Sequence, residues 1–589
     1  MVQSENLRLW YFIVFALAIG LYANTLYHQF VLDDGVVISG NTFVQKGIEG
    51  IPDIVTHDSF AGYQKVEQSD LILEGGRYRP LSLAIFAVIY SVFGPDPLPF
   101  HLLSILLYAV SGLMVFKWLL LLLSSEAYGK WISILTVLFF VAHPLHTEVV
   151  ANVKSTDEIL ALFLGVGAMY SLLKSFDGKS KIWMAISCIL MLAACMAKEN
   201  AITFLLVAPL SIWFFRDVKV SALIIRTLPL ITGGILFLFI RYTVLGLQPV
   251  GLMMHDPLNN PFLDWTGNAW VACSPFIKVA TILYTFGLSL KLMVIPYPLT
   301  HDYYPFHIEL QSFSSPFVLL SLLILLSLLI YGVWSIPQKK KAGFGIICFL
   351  VTTSVTANVF FPVGVFMAER FLYLPSLGFL YTVIYFGFHL AGEKHQKLLF
   401  RCFIPILVVF SVLTVLRNPA WKDNETLLRT DIIHSPKSAK GQNDLGTNIL
   451  DKALTTADTL QQRIFLTEAL PHLQRAIELH PTYYDAYLAS GACAYYLKQY
   501  DQSVHAYRTA SLLFPEDVKS KTGLRYALQA YGRDQWARHD TIASLGAMTE
   551  AWNMQADSAT ASELAKYYQL LGQSEKSKEW RNKASGGFK

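Results

Sequence analysis

Through residue 416 the chain alternates long apolar runs with short polar loops, and from Arg417 onward the runs stop and the pattern turns amphipathic. A helix needs about 20 apolar residues to cross the hydrocarbon of a bilayer. Runs of that order cover 9–26, 100–123, 131–142, 159–173, 182–197, 201–215, 223–245, 317–336, 344–361, 372–390 and 398–416, the shorter ones completed by neighbouring polar residues. They predict about eleven spans. Two further apolar segments stand apart. Residues 80–93 are too few to span and read as an interfacial or re-entrant helix. Residues 270–295 are enough, but they carry Lys278 and Lys291 and run into Pro296-Tyr297-Pro298.

Positive charge arbitrates between the counts. With those two segments kept out of the membrane, one set of alternate loops collects Lys130; Lys174, Lys179 and Lys181; Arg216, Lys219 and Arg226; Lys339-Lys340-Lys341; and Lys394, Lys397 and Arg401. Cytoplasmic loops carry such an excess, so the N-terminus is expected in the cytoplasm. The loop after the first span, and everything after Leu416, then lie outside.

The polar tail repeats. Ala476-Ile477-Glu478-Leu479-His480-Pro481 returns as Ala510-Ser511-Leu512-Leu513-Phe514-Pro515, placing the two prolines 34 residues apart. That is the tetratricopeptide period of paired helices. An earlier repeat starts near Pro436, 45 residues before Pro481, with about one extra helical turn expected around 455–461. Degenerate repeats follow near 519–554 and 559–583. Stacked helix pairs offer a concave surface suited to a partner protein. The expected domains are a membrane domain over 1–416, whose first outer loop is 27–99, a linker helix over 417–435, and repeats over 436–589.

Composition agrees with lipid as the solvent for much of the chain. Of 589 residues, 54% are hydrophobic and only 15% charged, with mean hydropathy +0.44, against about a quarter charged in a soluble protein. The net charge of +4 is small and its basic residues are scattered, which argues against nucleic-acid binding. Of six cysteines only Cys493 falls in the polar tail, so no disulfide framework can be read. No small-residue cleavage site follows the first apolar run, and no cleavable signal is expected.

Several polar clusters fall on the outer side in this topology. The first is Leu32-Asp33-Asp34-Gly35, just beyond the first span. Asp-Asp-Gly is ordinary turn chemistry, but the others converge on it: Gly76-Arg77-Tyr78-Arg79 before the interfacial helix, His143-Pro144-Leu145-His146-Thr147-Glu148, Lys198-Glu199-Asn200, Thr300-His301-Asp302, and Ala368-Glu369-Arg370-Phe371-Leu372-Tyr373. Charged residues near membrane segments are costly and mark function. His143 and His146 have no evident third ligand, and no metal is expected there. Sugar transfer from a lipid-linked phosphate would use this set. Arg and Lys would hold the phosphate. The phosphate leaves without an acid, so one carboxylate suffices to deprotonate the acceptor hydroxyl, unlike the two separated carboxyls of glycoside hydrolysis.

The same residues resemble a known family. Leu32-Asp33-Asp34 followed by Ser39-Gly40-Asn41, Tyr78-Arg79-Pro80-Leu81, the stretch from His143 to Ala151, Lys198-Glu199, the stretch from Ala368 to Ser376, and Trp421 with Leu427-Leu428 are together similar to the transmembrane-and-tetratricopeptide-repeat protein O-mannosyltransferases. The resemblance covers nearly the whole chain. It implies an all-α fold: a polytopic helix bundle of the GT-C glycosyltransferase type followed by a tetratricopeptide-repeat α-solenoid. It implies an enzyme of the EC 2.4.1 class that moves a hexose, mannose by analogy, from a polyprenyl or dolichyl phosphate to Ser or Thr of an extracytoplasmic protein, with inversion. Asp33 and Asp34 are the implied catalytic pair, with Asp33 as base and Asp34 positioning substrate or exchanging roles with it. Arg79, Lys198 and Arg370 are implied donor-phosphate ligands. His143, His146, Glu148, Glu369 and Tyr373 are expected to line the substrate site. No metal and no cofactor beyond the lipid-phosphate sugar is expected, and the acceptor protein is expected at the repeats. Lys154-Ser155-Thr156-Asp157 departs from the Gly-Arg-Ala-Asp type of sequence expected of the family. The repeat array is also shorter than in animal members, and N-glycosylation acceptors such as Asn424-Glu425-Thr426 are few. A bacterial inner membrane with a periplasmic site and a polyprenyl donor is therefore expected over an endoplasmic-reticulum lumen. Two other readings stay open: a glycosyltransferase acting on an envelope glycan or glycolipid, and a non-enzymatic scaffold or transporter recruiting partners through its repeats.

Overall fold

Helices form along nearly every apolar run, because a backbone surrounded by lipid must satisfy its own hydrogen bonds. The computed structural model describes residues 7–63, 76–178, 181–246 and 258–586, without the side chains of 393–397. Lys179, residues 64–75 of the expected first loop, and the side chains of Lys394 and Lys397 thus lie outside the described residues. The chain divides into two units, one of Met1–Tyr303 with Ile308–His434 and one of Tyr304–His307 with Ser435–Lys589.

Among the described residues of the first unit, eight helices are long and apolar enough to cross a membrane, or nine if the pair Gly129–Ala142 and Pro144–Ala151, bent by 51°, counts as one crossing. The expected number was about eleven. Three of the eleven runs, Lys181–Ala197, Glu199–Phe215 and Lys341–Ser354, are apolar but fall below spanning length, a fourth belongs to the bent pair, and the eight include Pro275–Val294, which was not among the eleven. Each of the three short runs continues into irregular backbone, such as the tight turn Glu199–Thr203, which membrane depth tolerates only where protein covers it. The segment ending at Phe361 stops being helical at Ser354. The last two expected runs form one element, Tyr373–Arg417, broken at Gly392 with φ +63°.

The two segments set apart both become helices. Pro80–Phe93 has 14 residues and buries Leu83, Phe86 and Ala87 against Val37, Ile38, Phe43 and Val44 of the first loop. In the other, Trp270–Ala272 pairs with Leu263–Trp265 as a two-stranded hairpin, and Pro275–Val294 is a helix that does meet the length and hydropathy of a span. Its contacts, however, gather at one end of its neighbours. Ala280 and Leu283 pack on Val318, Tyr284 lies 5.0 Å from the Phe317 ring, and Met293 O accepts a hydrogen bond from His143 Nε2 at 3.0 Å. The opposite end of the Pro316–Gln338 helix sits elsewhere, where Ile336 O accepts from Trp213 Nε1 at 2.9 Å.

The helix that begins at Thr156 is the centre of the bundle: 72% of its spanning window is buried, against 17% for Pro316–Gln338 and 11% for Leu398–Trp421, which face lipid. Close helix packing in lipid relies on small residues. Gly345 and Gly378 provide it where Lys341–Ser354 meets Tyr373–Arg417; a Cβ on Gly378 would stand 2.6 Å from Phe349 N and 2.8 Å from Gly345 O.

The second unit is a run of helix pairs: Ala439–Thr455 with Thr459–Leu479, Tyr484–Tyr496 with Tyr500–Leu513, Val518–Ala537 with Thr541–Met554, and Ser558–Leu570 with Ser574–Ala584. The additional length is about three helical turns rather than the one expected near 455–461, and both helices of the first pair share it, with 17 and 21 residues against 13 and 14 in the second. Small residues again set the packing, with Gly491 and Gly523 both against the Tyr507 ring.

Because the atoms facing Gly378 are backbone, Gly378→Ala forces two helices apart. It is expected to destabilise the membrane unit by about 1–3 kcal/mol, the usual cost of overpacking, read as a lowered unfolding midpoint in detergent. An unchanged midpoint would refute the close contact.

Candidate functional site: the charged rim around Asp33

The loop after the first span is held by backbone chemistry. Asp34 is fully buried; its Oδ2 accepts the Val31 N–H at 2.9 Å and its Oδ1 the Lys154 N–H at 2.6 Å. Burial pushes the Asp34 carboxyl up to about 7 against those two bonds, and the Asp33 charge adds to the rise. Two more bonds fix the loop from the segment after the last span: Asn424 Oδ1 accepts from Leu32 N at 2.8 Å and Lys422 O from Gln29 N at 2.8 Å. Val31 packs beside Ala151, Trp421 and Leu427.

Asp33 is placed differently. Its side chain is 47% exposed and its Oδ2 lies 3.8 Å from Lys154 Nζ, whose own side chain is only 6% exposed. Behind Lys154, the first turn of the central helix supplies Asp157 and Glu158, where carboxylates meet the positive end of the helix dipole. Asp157 takes two cations from different segments, Arg79 Nη1 at 2.9 Å and Lys198 Nζ at 3.1 Å. Lys198 also meets Glu158 at 2.6 Å, and Arg79 Nε meets Glu199 at 2.8 Å. Asn200 donates to Glu158 at 2.8 Å. Arg370 closes the rim: its N–H donates to Glu148 at 2.8 Å and its guanidinium pairs with the same carboxylate. Arg370 is within electrostatic range of Asp33 and Lys154.

Arg77 differs from the other cations. Its guanidinium lies over the Phe60 ring at 5.1 Å, and among the described residues it makes no ion pair. Burial and the neighbouring Arg79 lower its proton affinity, while Asp33 and Glu199 pull the other way. Arg77, Arg79, Lys154, Asp157, Ser59 and Phe60 line a recess of about 20 Å³, room for a single water.

No protein-family profile matches the chain. Individual proteins do. It is 28% identical over 497 residues to the human protein O-mannosyl-transferase TMTC4, covering 76% of this chain and 64% of that protein. It is 25% identical over 533 residues to human TMTC3 (85% and 54%) and 24% identical over 478 residues to the Caenorhabditis elegans protein O-mannosyl-transferase F38B6.6 (80% and 63%). The chain is thus similar to the transmembrane-and-tetratricopeptide-repeat protein O-mannosyl-transferases. It spans less than two thirds of the length of these relatives. Among solved structures, the human IFIT1 dimer with PPP-AAAA aligns over 75% of this chain and 93% of its own at 13% identity, with a TM-score of 0.19 that bears no argument.

The residues singled out from sequence separate into groups. Asp33, Asp34, Arg79, Lys198, Glu148 and Arg370 meet on one rim. Arg79 and Lys198 are there fully engaged by carboxylates, so the positive charge facing Asp33 comes from Lys154, with Arg77 and Arg370 beyond it. The two histidines lie inside the bundle instead. His143 Nδ1 accepts from Leu145 N at 3.3 Å while Nε2 donates to Met293 O, and His146 bridges Tyr108 Oη at 2.9 Å and Ser376 Oγ at 3.0 Å. Tyr373 is buried against the His146 ring at 4.7 Å. Glu369 is buried too, its Oε1 accepting from Thr300 N at 2.6 Å and Tyr303 Oη at 3.0 Å. Beside it Arg417 forks onto Asp431, which also accepts from His301 N at 2.7 Å. Burial alone would raise the Asp431 carboxyl; Arg417 and His301 hold it well below the usual range. Sequence reading passed over Lys154, Asp157, Glu158 and Arg77 as site residues, although Lys154 and Asp157 stood in the one motif that departs from the family pattern.

Removing one partner of a buried ion pair costs about 3–5 kcal/mol, because the other charge stays buried. Asp157→Asn strands two cations and is expected to destabilise the membrane unit by that amount in detergent unfolding. Equal stability of Asp157→Asn and wild type would refute the clamp.

Proposed function

We propose that this chain is a membrane glycosyltransferase that moves a hexose, mannose by the names of its relatives, from a polyprenyl or dolichyl phosphate to a Ser or Thr hydroxyl of an extracytoplasmic protein. The observation that carries the reading is the division of labour in the Asp33-Asp34 pair. Both oxygens of Asp34 accept backbone N–H groups, while Asp33 stands half-exposed at the rim beside Lys154. A general base must reach the proton it removes, and Asp33 is the member placed to do so. Asp34 is a positioning residue that sets the loop.

The reaction is a single displacement. The acceptor hydroxyl oxygen attacks the anomeric carbon, its proton passes to Asp33, and the bond from that carbon to the phosphate oxygen breaks. The lipid phosphate leaves with the bonding electrons, and the configuration inverts. The departing phosphate gains charge, so cations near it act more strongly in the transition state than before it. Lys154, Arg77 and Arg370 supply them, Arg77 with its guanidinium in no ion pair among the described residues. Arg79 and Lys198 act one layer back by fixing Asp157 and, through the helix turn, Lys154. The distribution of Lys and Arg supports a cytoplasmic N-terminus, with this rim and the repeats on the opposite side in a bacterial periplasm. The repeats hold the acceptor protein.

Asp33→Asn is expected to leave the unfolding midpoint unchanged and to lower mannosyl transfer from a polyprenyl-phosphate donor by at least about 100-fold, the low end for loss of a general base. Transfer within a few-fold of wild type would remove Asp33 from the mechanism and favour a scaffold. A second test concerns the tail. Truncation after Arg417 would leave that guanidinium without Asp431, so the cut belongs after His434. The truncated protein is expected to glycosylate a short Ser/Thr peptide as the full chain does, and a folded acceptor at least about tenfold more slowly, as loss of a second attachment predicts. An equal fall for both acceptors would exclude acceptor selection by the repeats.

A further inference from the structure

The central helix carries Asp157 at one end and Ser175 at the other, 18 residues on. At 1.5 Å per residue that is about 27 Å, close to the full hydrocarbon thickness of about 30 Å. At the Ser175 end a groove of about 670 Å³ opens between the helices Thr156–Gly178, Lys181–Ala197 and Val220–Leu245. It lies in the leaflet opposite the Asp33 rim and shares no lining residue with the small recess beside Arg77.

The packing explains why the helices part there. Gly233 brings its helix against the next one so closely that a Cβ would stand 2.4 Å from Cys188 O. One turn nearer the membrane surface Pro229 interrupts the hydrogen-bond ladder and faces the small Ala185 across the opening. The walls are apolar, and the lip is open to the side: Leu228 is 50% and Ile225 60% exposed. Polar groups at the floor are already engaged, Ser175 Oγ donating to Leu172 O at 2.6 Å and Thr232 Oγ1 to Leu228 O at 2.9 Å.

Two cations remain at the mouth. Arg226 is held in place by donating one arm to Ser175 O and by lying over the Phe176 ring at 4.9 Å. Its remaining N–H donors point to no acceptor among the described residues. Lys181 is exposed and makes no ion pair among the described residues. A laterally open apolar slot with two cations at its headgroup end matches one class of ligand in charge and in polarity. A zwitterionic lipid would bring its own cation to Lys181 and Arg226; an anionic one would not.

We propose that this groove binds an anionic phospholipid of the leaflet opposite the Asp33 rim, with an acyl chain against Met184, Ala185 and Leu228 and the phosphate between Lys181 and Arg226. The site is independent of the transfer reaction and stands or falls separately from it.

Cys188 lines the groove and is part-exposed, while Cys402 is exposed and remote from it in sequence, so the two thiols serve as probe and reference. The full-length protein, stripped of lipid in a neutral detergent, is titrated with phosphatidylglycerol, phosphatidylcholine or inorganic phosphate. Maleimide labelling of each cysteine is then read by peptide mass spectrometry. Phosphatidylglycerol is expected to protect Cys188 at a concentration about tenfold below that of phosphatidylcholine, two juxtamembrane cations being worth at least that much. Inorganic phosphate should protect neither thiol. The preference should vanish in the Lys181→Ala, Arg226→Ala double variant. It should fall several-fold in Lys181→Ala alone, which removes no hydrogen bond from the fold. Equal protection by the two lipids, protection by phosphate alone, or a preference that survives both variants would overturn the proposal.

Discussion

A single buried carboxylate, Asp157, holds the outer rim of the membrane unit together. Two cations reach it from segments far apart in the chain, Arg79 at the entry to the Pro80–Phe93 helix and Lys198 at the end of Lys181–Ala197. Neither cation nor carboxylate is stable alone at that depth, because the cost of removing each from water is several kcal/mol. Together, with Glu158 and Glu199 beside them, they form a network in which every charge is answered. The backbone turn at Lys154 sits directly before this network, and Asp34 binds that turn through the Lys154 N–H. The position of Asp33 is thereby tied to the central helix rather than left to a mobile loop.

Much of the fold was legible because lipid imposes a strict rule on sequence. A stretch of some 20 apolar residues has few structures open to it, and the helices follow the runs closely. The count failed where that rule relaxes. At the bend between Ala142 and Pro144 and in the tight turn Glu199–Thr203, protein rather than lipid surrounds the backbone, and irregular structure becomes permissible at depth. Hydropathy cannot tell an apolar residue facing lipid from one facing another helix. The same blindness set the Pro275–Val294 helix apart on account of its lysines, although its composition passes for a span. The repeats were easier, since a 34-residue period with small residues at fixed places leaves helix pairs as the one economical packing.

The site was legible as a list of clusters and less so as a geometry. Clusters next to apolar runs had to lie near a membrane surface, and the charged ones do converge. Sequence could not show which polar side chains turn outward. His143 and His146 stand at a helix end, yet their partners Met293, Tyr108 and Ser376 come from distant positions and draw them into the core. Arg79 and Arg77 are two residues apart, a spacing that would place both on one face of an extended segment, yet their partners differ. One meets carboxylates and the other an aromatic face. The departure at Lys154 was the visible signal: a lysine where the family pattern has a different motif, followed three residues later by the aspartate that organises the rim.

The contrast between the two loop aspartates carries the chemistry further than either alone. Asp34 is buried and each of its oxygens accepts a backbone amide, so it cannot turn toward a substrate without releasing the loop. Asp33 shares the same backbone but projects from the other side of the turn, where water still reaches it and Lys154 lies 3.8 Å away. A base must reach the proton it takes, and only the exposed member of the pair can meet an incoming hydroxyl. Rigidity therefore comes from one residue and reactivity from its neighbour. A Leu32 backbone with φ +50°, unusual for a side chain of that kind, sets the turn that separates them, and the Asn424 and Lys422 contacts keep it there. The segment after the last span thus belongs to the membrane unit by its contacts, although its composition groups it with the polar tail.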